Sequence, residues 1–205
     1  MSDTKNQSDG ISRRQLLTVG AIGLAAAVAA PVLFSTGSAF AAAADGKRVL
    51  TVFHSRSGNT KSLATIIQGQ LGGDLAEIAP ATPYSPDYDT ATVEARYQLI
   101  TGKRPGNLPL SVNPASYDII CVGSPLWWGT LSVPVIAFLT ETDLAGKTIV
   151  PFSTNGGGSR DKTFDDVKMI CANSKVLDGF KIGGKRAAGA RSDVASWLRD
   201  IGVAG

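Results

Sequence analysis

The stretch RVLTVFHSRSGNTKS, residues 48–62, decides the fold. Its apolar first part runs directly into a turn rich in hydroxyl groups, with one glycine and one asparagine. Apolar residues of helical spacing follow at Leu63, Ile66, Ile67 and Leu71. This order predicts a buried strand over residues 48–53, then a tight turn, then a helix that Gly72 and Gly73 end.

The same alternation continues along the chain. Apolar runs predict further strands over residues 74–78, 117–123, 148–152 and 176–182, with segments of helical period between them. Such alternation is typical of a parallel sheet with helices on both faces. A chain of 205 residues with 43% hydrophobic content suits one core of this kind. We therefore predict an α/β fold with three α/β/α layers around a doubly wound five-stranded parallel sheet.

The N-terminal region has the pattern of an export signal. Arg13 and Arg14 precede a nearly uncharged apolar segment that runs to about Phe34, and the small-residue sequence Ala39-Phe40-Ala41 follows. This order predicts a twin-arginine signal peptide over residues 1–41, a short linker over 42–46 and the folded domain over 47–205. The protein is then exported, to the periplasm or another extracytoplasmic space. A retained membrane anchor is the alternative, and membrane association is expected only in that case.

Charge and cysteine content exclude some functions. The net charge of +3 comes without a run of lysines or arginines that would form one face, so no nucleic-acid partner is predicted. Cys121, Cys171 and the single histidine have no metal-ligand spacing, and no metal site is predicted. We interpret both cysteines as packed thiols, with a disulfide between them as the alternative.

Three polar or aromatic segments follow predicted strands. Ligands of a doubly wound sheet bind beyond the carboxyl ends of the strands, so these segments are the candidate site. They comprise Ser55, Arg56, Ser57, Gly58, Asn59 and Thr60 after the first strand, Ser124, Pro125, Leu126, Trp127, Trp128 and Gly129 after the third, and Ser153, Thr154, Asn155, Gly156, Gly157 and Gly158 after the fourth.

The first segment suits a terminal phosphate. Unpaired N–H groups at a helix N-terminus attract anions, hydroxyl groups add donors, and Gly58 permits a tight backbone turn. Simple capping of the helix by the same residue types is the alternative. The turn has no G-x-G-x-x-G and the chain has no G-x-x-x-x-G-K-[ST], so neither a dinucleotide fold nor a nucleoside triphosphatase is indicated.

The other two segments suit a flat ring. The indoles of Trp127 and Trp128 could stack on a heterocycle, with core packing as the alternative. The glycines at 156–158 let backbone N–H groups approach a ligand, and an ordinary surface loop is the alternative.

Together the three segments resemble those of the flavodoxins. Residues 55–60 are similar to the S/T-x-T-G-N-T phosphate loop. The agreement continues in residues 117–129, with the P-x-W-W-G loop of one subfamily, and in residues 152–158, with its S/T-x-G-G loop. The resemblance extends from Lys47 to the C-terminus. It implies strand order 2-1-3-4-5 and non-covalent binding of flavin mononucleotide (FMN).

The resemblance also assigns roles to residues. Ser55, Ser57, Asn59 and Thr60 would hold the phosphate, with backbone N–H groups of Arg56 and Gly58. Residues 125–129 would line the isoalloxazine ring, and residues 153–158 would border its other side and polar edge. Electron-carrier flavodoxins are usually strongly acidic and often have an aromatic residue in the third loop, whereas this chain is slightly basic and has none there.

The expected function is that of an exported redox protein that transfers electrons through bound FMN. An enzyme that reduces quinones or other small oxidants with a reduced nicotinamide is one form of it, and a one-electron shuttle without its own substrate is another. A flavodoxin-shaped module that binds a phosphorylated ligand or a protein partner without redox work is the alternative. A monomer and a dimer both remain open, and no catalytic residue is assigned.

Two features of the sequence each allow two interpretations. His54 is either a packed residue at the end of a strand or a group that transfers protons or contacts substrate. The segment 80–114, with Tyr84, Tyr88, Arg96 and Tyr97, either covers part of the flavin or is an inert flap.

Overall fold

A computed structural model describes residues 46–157 and 160–204. The predicted signal peptide, nearly all of the predicted linker and Gly158 lie outside these residues. The strands are β1 Val49–Phe53, β2 Asp74–Glu77, β3 Ile119–Trp127, β4 Thr130–Leu131, β5 Thr148–Asn155, β6 Lys175–Val176 and β7 Phe180–Gly183. The helices are α1 Asn59–Leu71, α2 Tyr88–Thr101, α3 Val133–Glu141, α4 Thr163–Ile170 and α5 Arg191–Asp200, with 3₁₀ turns at Pro114–Ser116 and Gly184–Gly189.

The sheet has the predicted order. Its main path is β2-β1-β3-β5-β6, all parallel, and β7 also pairs in parallel with β5. Because β5 is the predicted fourth strand and β6 and β7 together replace the predicted fifth, the order 2-1-3-4-5 is confirmed. The fifth strand is interrupted between Val176 and Phe180. In this interruption Gly179 packs closely against Phe164, since a Cβ at Gly179 would lie 2.6 Å from the Phe164 ring.

Helices cover both faces of the sheet. The buried side chains of β1 alternate, so that Val49 and Phe53 join one apolar cluster while Leu50 and Val52 join another. Helices α1 and α5 complete the first cluster, and α3 and α4 complete the second. This confirms the three layers. No helix within the described residues is long and apolar enough to span a membrane.

The cysteines lie in these cores as free thiols, as interpreted from the sequence. Cys121 belongs to the cluster under α1 and α5, and Cys171 to the one under α3 and α4. Burial raises the pKa of Cys121 to about 12 and that of Cys171 to about 11. Both thiols therefore stay protonated near neutral pH.

The two central strands run further than the apolar pattern predicts, and here the prediction of loops was wrong. Pairing of β3 with β5 continues as far as Pro125 opposite Thr154. Strand β4 then turns back antiparallel along β3 through a two-residue turn at Trp128 and Gly129, with φ of 51° and 82°. Positive φ at both positions is typical of a type I′ hairpin. Residues 125–127 and 153–155 are thus on strands, which hold them more rigidly than loops would.

Candidate functional site

Two adjoining clefts lie at the carboxyl edge of the sheet. We call the first, of about 560 Å³, the phosphate-loop cleft; it is lined by Arg56, Ser57, Asn59, Thr60, Tyr88, Pro125, Leu126, Trp127, Thr154, Asn155, Gly156, Gly157, Gly183, Gly184, Lys185 and Arg186. We call the second, of about 530 Å³, the α2 cleft; it is lined by Arg56, Tyr88, Ala91, Thr92, Ala95, Leu126, Trp127, Trp128, Gly129, Gly157 and Arg160. The structure therefore brings all three predicted segments together, and the two clefts share a wall that includes Trp127.

The phosphate-loop cleft lies at the N-terminus of α1. Gly58 precedes this helix with φ of 84°, a conformation that favours glycine. Among the described residues no side chain caps α1, so the hydroxyl and amide groups of the turn do not serve the capping role that was the alternative. The N–H groups of the first turn have no acceptor within the helix. They are available to an anion beside Ser57 and Asn59, whose side chains hydrogen-bond each other at 3.3 Å.

A buried hydroxyl pair forms the floor of this cleft. Thr60 Oγ1 and Thr154 Oγ1 are hydrogen-bonded at 2.8 Å, and their residues are only 1% and 3% exposed. The bond joins the first turn of α1 to the end of β5. It fixes the first and third predicted segments relative to each other.

The shared wall is supported from behind by aromatic rings. Trp127 meets His54 edge-on with ring centroids 5.2 Å apart, and Tyr84 edge-on at 4.9 Å. His54 Nδ1 is hydrogen-bonded to Ser132 Oγ at 3.0 Å, and burial lowers the pKa of His54 to about 4. The imidazole is therefore neutral near pH 7. His54 is a packed residue that positions Trp127, in agreement with the first of its two interpretations.

Trp128 belongs to the α2 cleft alone. The residue is 51% exposed. Its indole donates from Nε1 to the Thr92 carbonyl at 3.0 Å and lies under Arg96, whose Cζ is 4.7 Å from the ring centroid. A Cβ on the neighbouring Gly129 would lie 3.3 Å from the Arg160 carbonyl oxygen. The hairpin is thus packed between α2 and Arg160.

The segment 80–114 is part of the site. Tyr88 lines both clefts. Arg56 donates from Nη2 to the Pro86 carbonyl at 2.9 Å, and its Cζ lies 5.5 Å from the centroid of the Tyr88 ring. Helix α2 begins next to this contact, where Asp87 accepts a hydrogen bond from the N–H of Thr90 at 2.8 Å. The phosphate loop and α2 are therefore held to each other.

Some predicted residues do not line either cleft. Ser55, Gly58 and Ser153 are absent from both walls. The Ser153 side chain is completely buried, because side chains alternate along a strand and Thr154 faces α1. Within the described residues Ser153 Oγ has no hydrogen-bond partner. Ser153 is thus placed for packing rather than for ligand contact.

Other lining residues were missed. The end of β7 contributes Gly183 to the phosphate-loop cleft, and the 3₁₀ turn after it contributes Gly184, Lys185 and Arg186. A Cβ on Gly184 would lie 2.6 Å from Asn59 Nδ2, so this glycine lets the turn approach α1 closely. The sequence signal was available, since a Gly-Gly-Lys-Arg run follows the last strand at the same edge. Ala91, Thr92, Ala95 and Arg160 were also missed.

The charges of the two walls have one sign. Arg56, Arg160, Lys185 and Arg186 line the clefts, and the lining residues within the described part of the chain include no aspartate or glutamate. A site of this kind favours ligands with negative groups.

Comparison with known proteins agrees with this architecture. Residues 48–201 match the family model described as Flavodoxin. A solved structure from Bacteroides eggerthii, described as a flavoprotein, is 27% identical with a TM-score of 0.65, over 77% of this chain and 99% of that one. A flavoprotein from Lactobacillus acidophilus, solved in complex with FMN, is 22% identical with a TM-score of 0.59, over 70% and 97%. No curated protein matches this chain.

Proposed function

Because this chain belongs to the flavodoxin family, we propose that it is a redox protein that transfers electrons through non-covalently bound FMN. The observation that carries the proposal is the uncapped N-terminus of α1, which opens into a cleft that ends at an aromatic wall. Such a cleft offers N–H groups to a terminal phosphate and a flat surface to a ring.

The residues of the phosphate-loop cleft fit FMN. Ser57, Asn59 and Thr60 would hold the phosphate, together with the N–H groups of Arg56 and Gly58. Ser55, which the resemblance also assigns to the phosphate, does not line this cleft. The ring would lie against the shared wall at Pro125, Leu126 and Trp127. Its polar edge would face the backbone of residues 154–157. Trp128 and Gly129, which the resemblance also assigns to the ring, border only the α2 cleft.

The protein's own contribution is to bind the cofactor, to orient it and to shield it. FMN, when bound, supplies the ability to accept and pass electrons. Trp127 is held at a fixed angle by His54 and Tyr84, which pre-organises the wall before a ligand arrives. The Thr60–Thr154 hydrogen bond fixes the phosphate end. No side chain is assigned proton transfer.

We further propose that the protein is a reductase of quinones or similar small oxidants, with a reduced nicotinamide as donor. The α2 cleft supports this version, because it adjoins the wall proposed for the flavin ring and is large enough for a second small molecule. A one-electron shuttle has no use for such a cleft. A non-redox module that binds a phosphorylated ligand or a protein is the further alternative.

Export through the twin-arginine pathway is part of the proposal. It is supported by the order of Arg13-Arg14, apolar segment and Ala39-Phe40-Ala41, and by a cofactor that can be loaded before a folded protein is exported. Mass analysis of protein from the periplasm of an export-competent host tests it. A chain that begins at Ala42 is expected, and full-length protein in the cytoplasmic fraction would contradict it.

Absorption and fluorescence measurements test the cofactor. Purified protein should show a flavin spectrum, and apoprotein should quench the fluorescence of added FMN more strongly than that of riboflavin, which lacks the phosphate. Colourless protein that does not quench FMN fluorescence would exclude the proposal. Stopped-flow mixing with NADH or NADPH then separates reductase from shuttle, since a nicotinamide-dependent reductase should lose its flavin absorbance.

A further inference from the structure

We propose that the α2 cleft binds the oxidant that takes electrons from the flavin, and that this oxidant is a flat aromatic anion. The inference rests on the proposed function and adds the class of substrate to it. Three features of the cleft carry it: its position, its aromatic walls and its charge.

The first feature is the position of the α2 cleft. The α2 cleft and the phosphate-loop cleft share Tyr88, Leu126 and Trp127. A molecule in the α2 cleft therefore lies next to the wall proposed for the flavin ring. Space is left because Ala91 and Ala95, one turn apart on α2, present small side chains there. A bulky residue at either position would fill the cleft.

The walls select a flat molecule. Trp127, Trp128 and Tyr88 present aromatic rings to the cleft. Trp128 adopts a φ of 51°, which is uncommon for a bulky residue, and its indole is fixed by the Thr92 carbonyl and Arg96. The exposed indole is thus held in place at the cleft, although the surrounding structure offers it no core to pack into.

The charge selects an anion. Arg56 and Arg160 line the cleft, and no carboxylate does so within the described residues. Asp161, next to Arg160 in the sequence, is engaged with Lys181 Nζ at 2.8 Å and with the N–H of Thr163 at 3.0 Å. A guanidinium group pairs well with a planar carboxylate or a sulfonate. A quinone bound here would become the hydroquinone by taking up two electrons from bound, two-electron-reduced FMN and two protons, which the reduced FMN and solvent would supply together.

The test compares two quinones that differ in charge. FMN-loaded protein is reduced with dithionite and mixed anaerobically with 1,4-naphthoquinone-2-sulfonate or with neutral 1,4-naphthoquinone, for the native protein, Arg160→Gln and Arg199→Gln. Arg199 is an exposed arginine on α5 that lines neither cleft, so its variant loses the same charge elsewhere. Comparing each quinone across the variants removes the difference between their potentials.

Arg160→Gln should slow reoxidation by the sulfonated quinone about tenfold and change the neutral quinone less than about twofold. Arg199→Gln should change neither. High ionic strength should slow the sulfonated quinone in the native protein and have less effect in Arg160→Gln. Equal effects on both quinones, or none on either, would overturn the inference.

Binding of a redox-inert ligand gives a readout that does not depend on turnover. Calorimetric titration of the oxidised, FMN-loaded protein with naphthalene-2-sulfonate should show binding that Arg160→Gln weakens and Arg199→Gln does not. Absence of binding to the native protein contradicts the inference. Protein that binds no FMN contradicts the proposed function and the inference with it, whereas FMN-loaded, dithionite-reducible protein that fails the charge comparison contradicts the inference alone.

Discussion

The two clefts share a wall but are built from different parts of the chain. The phosphate-loop cleft is made chiefly of strand ends, glycines and backbone N–H groups, and hydroxyl pairs such as Thr60 with Thr154 fix it. The α2 cleft is made chiefly of side chains from α2 and the β3–β4 hairpin, together with Arg56 and Arg160, and it is held by contacts such as that of Trp128 with Thr92. The first is therefore determined by the fold itself, and the second by side chains that can change without altering the fold. This division predicts a family-wide cofactor in one cleft and a protein-specific ligand in the other.

Acidification should damage both clefts together, because His54 lies behind their shared wall. Its pKa is about 4 in the folded protein against 6.5 for the ordinary group. Folding therefore favours the neutral form, and this contribution to stability is complete above pH 6.5. It is lost as the pH falls, because the unfolded chain then takes up a proton that the folded chain does not. The loss should be on the order of 3 kcal/mol at about pH 4.

Urea unfolding across this pH range measures the effect. His54→Asn, which removes the titrating group and keeps a polar side chain near Ser132, should lose less stability on acidification than the native protein. Equal losses in both proteins would show that His54 does not contribute.

Trp127→Ala should affect both clefts, since the indole lines each of them. Loss of one aromatic stacking surface should weaken FMN binding by about 1–3 kcal/mol. Removal of the edge-on contacts with His54 and Tyr84 should also loosen the wall. Fluorescence titration of apoprotein with FMN checks this. Trp197→Phe is the control, because Trp197 packs against Phe180 and lines neither cleft.

The Thr60–Thr154 hydrogen bond tests the rigidity of the phosphate-loop cleft. Thr154→Val leaves the buried Thr60 hydroxyl without its partner, which should lower the free energy of unfolding by about 1–3 kcal/mol. Thr60→Val should cost a similar amount. The double variant should lose clearly less than the two single losses added, because no unsatisfied hydroxyl remains. Additive losses in a double-mutant cycle would contradict the coupling.

The sequence could predict the phosphate-loop cleft but not the α2 cleft. The phosphate loop lies within one short stretch around Gly58, where strand, turn and helix signals adjoin, so local patterns were sufficient to locate it. The α2 cleft depends on Ala91 and Ala95, ordinary helix residues on a helix whose apolar side chains occur on the exposed face as well as the buried one. No local pattern marks such residues as lining a cleft. Only tertiary packing shows it.

Strand ends were mispredicted for a related reason. The apolar pattern of the third and fourth predicted strands ends at Gly123 and Phe152, but pairing between β3 and β5 continues to Pro125 and Thr154. Hydrogen bonds between β3 and β5, which are distant in sequence, extend both strands. As a result Trp127 lies on a strand. The turn at Trp128 and Gly129 lacks the Asn-Gly or Asp-Gly signal of a type I′ hairpin, so the sequence did not indicate it.

Trp128→Ala should have the smallest effect on FMN and is the sharpest test of the division between the clefts. Of the two clefts, Trp128 lines the α2 cleft and not the phosphate-loop cleft, and its indole is already in contact with Arg96 and Thr92. Its removal should change FMN affinity by less than about 0.5 kcal/mol, as for other partly exposed side chains. Binding of naphthalene-2-sulfonate to the FMN-loaded protein should weaken more, because an aromatic wall of the α2 cleft is lost. If Trp128→Ala instead weakens FMN binding as much as Trp127→Ala does, the flavin ring extends into the α2 cleft. The oxidant must then approach from another side.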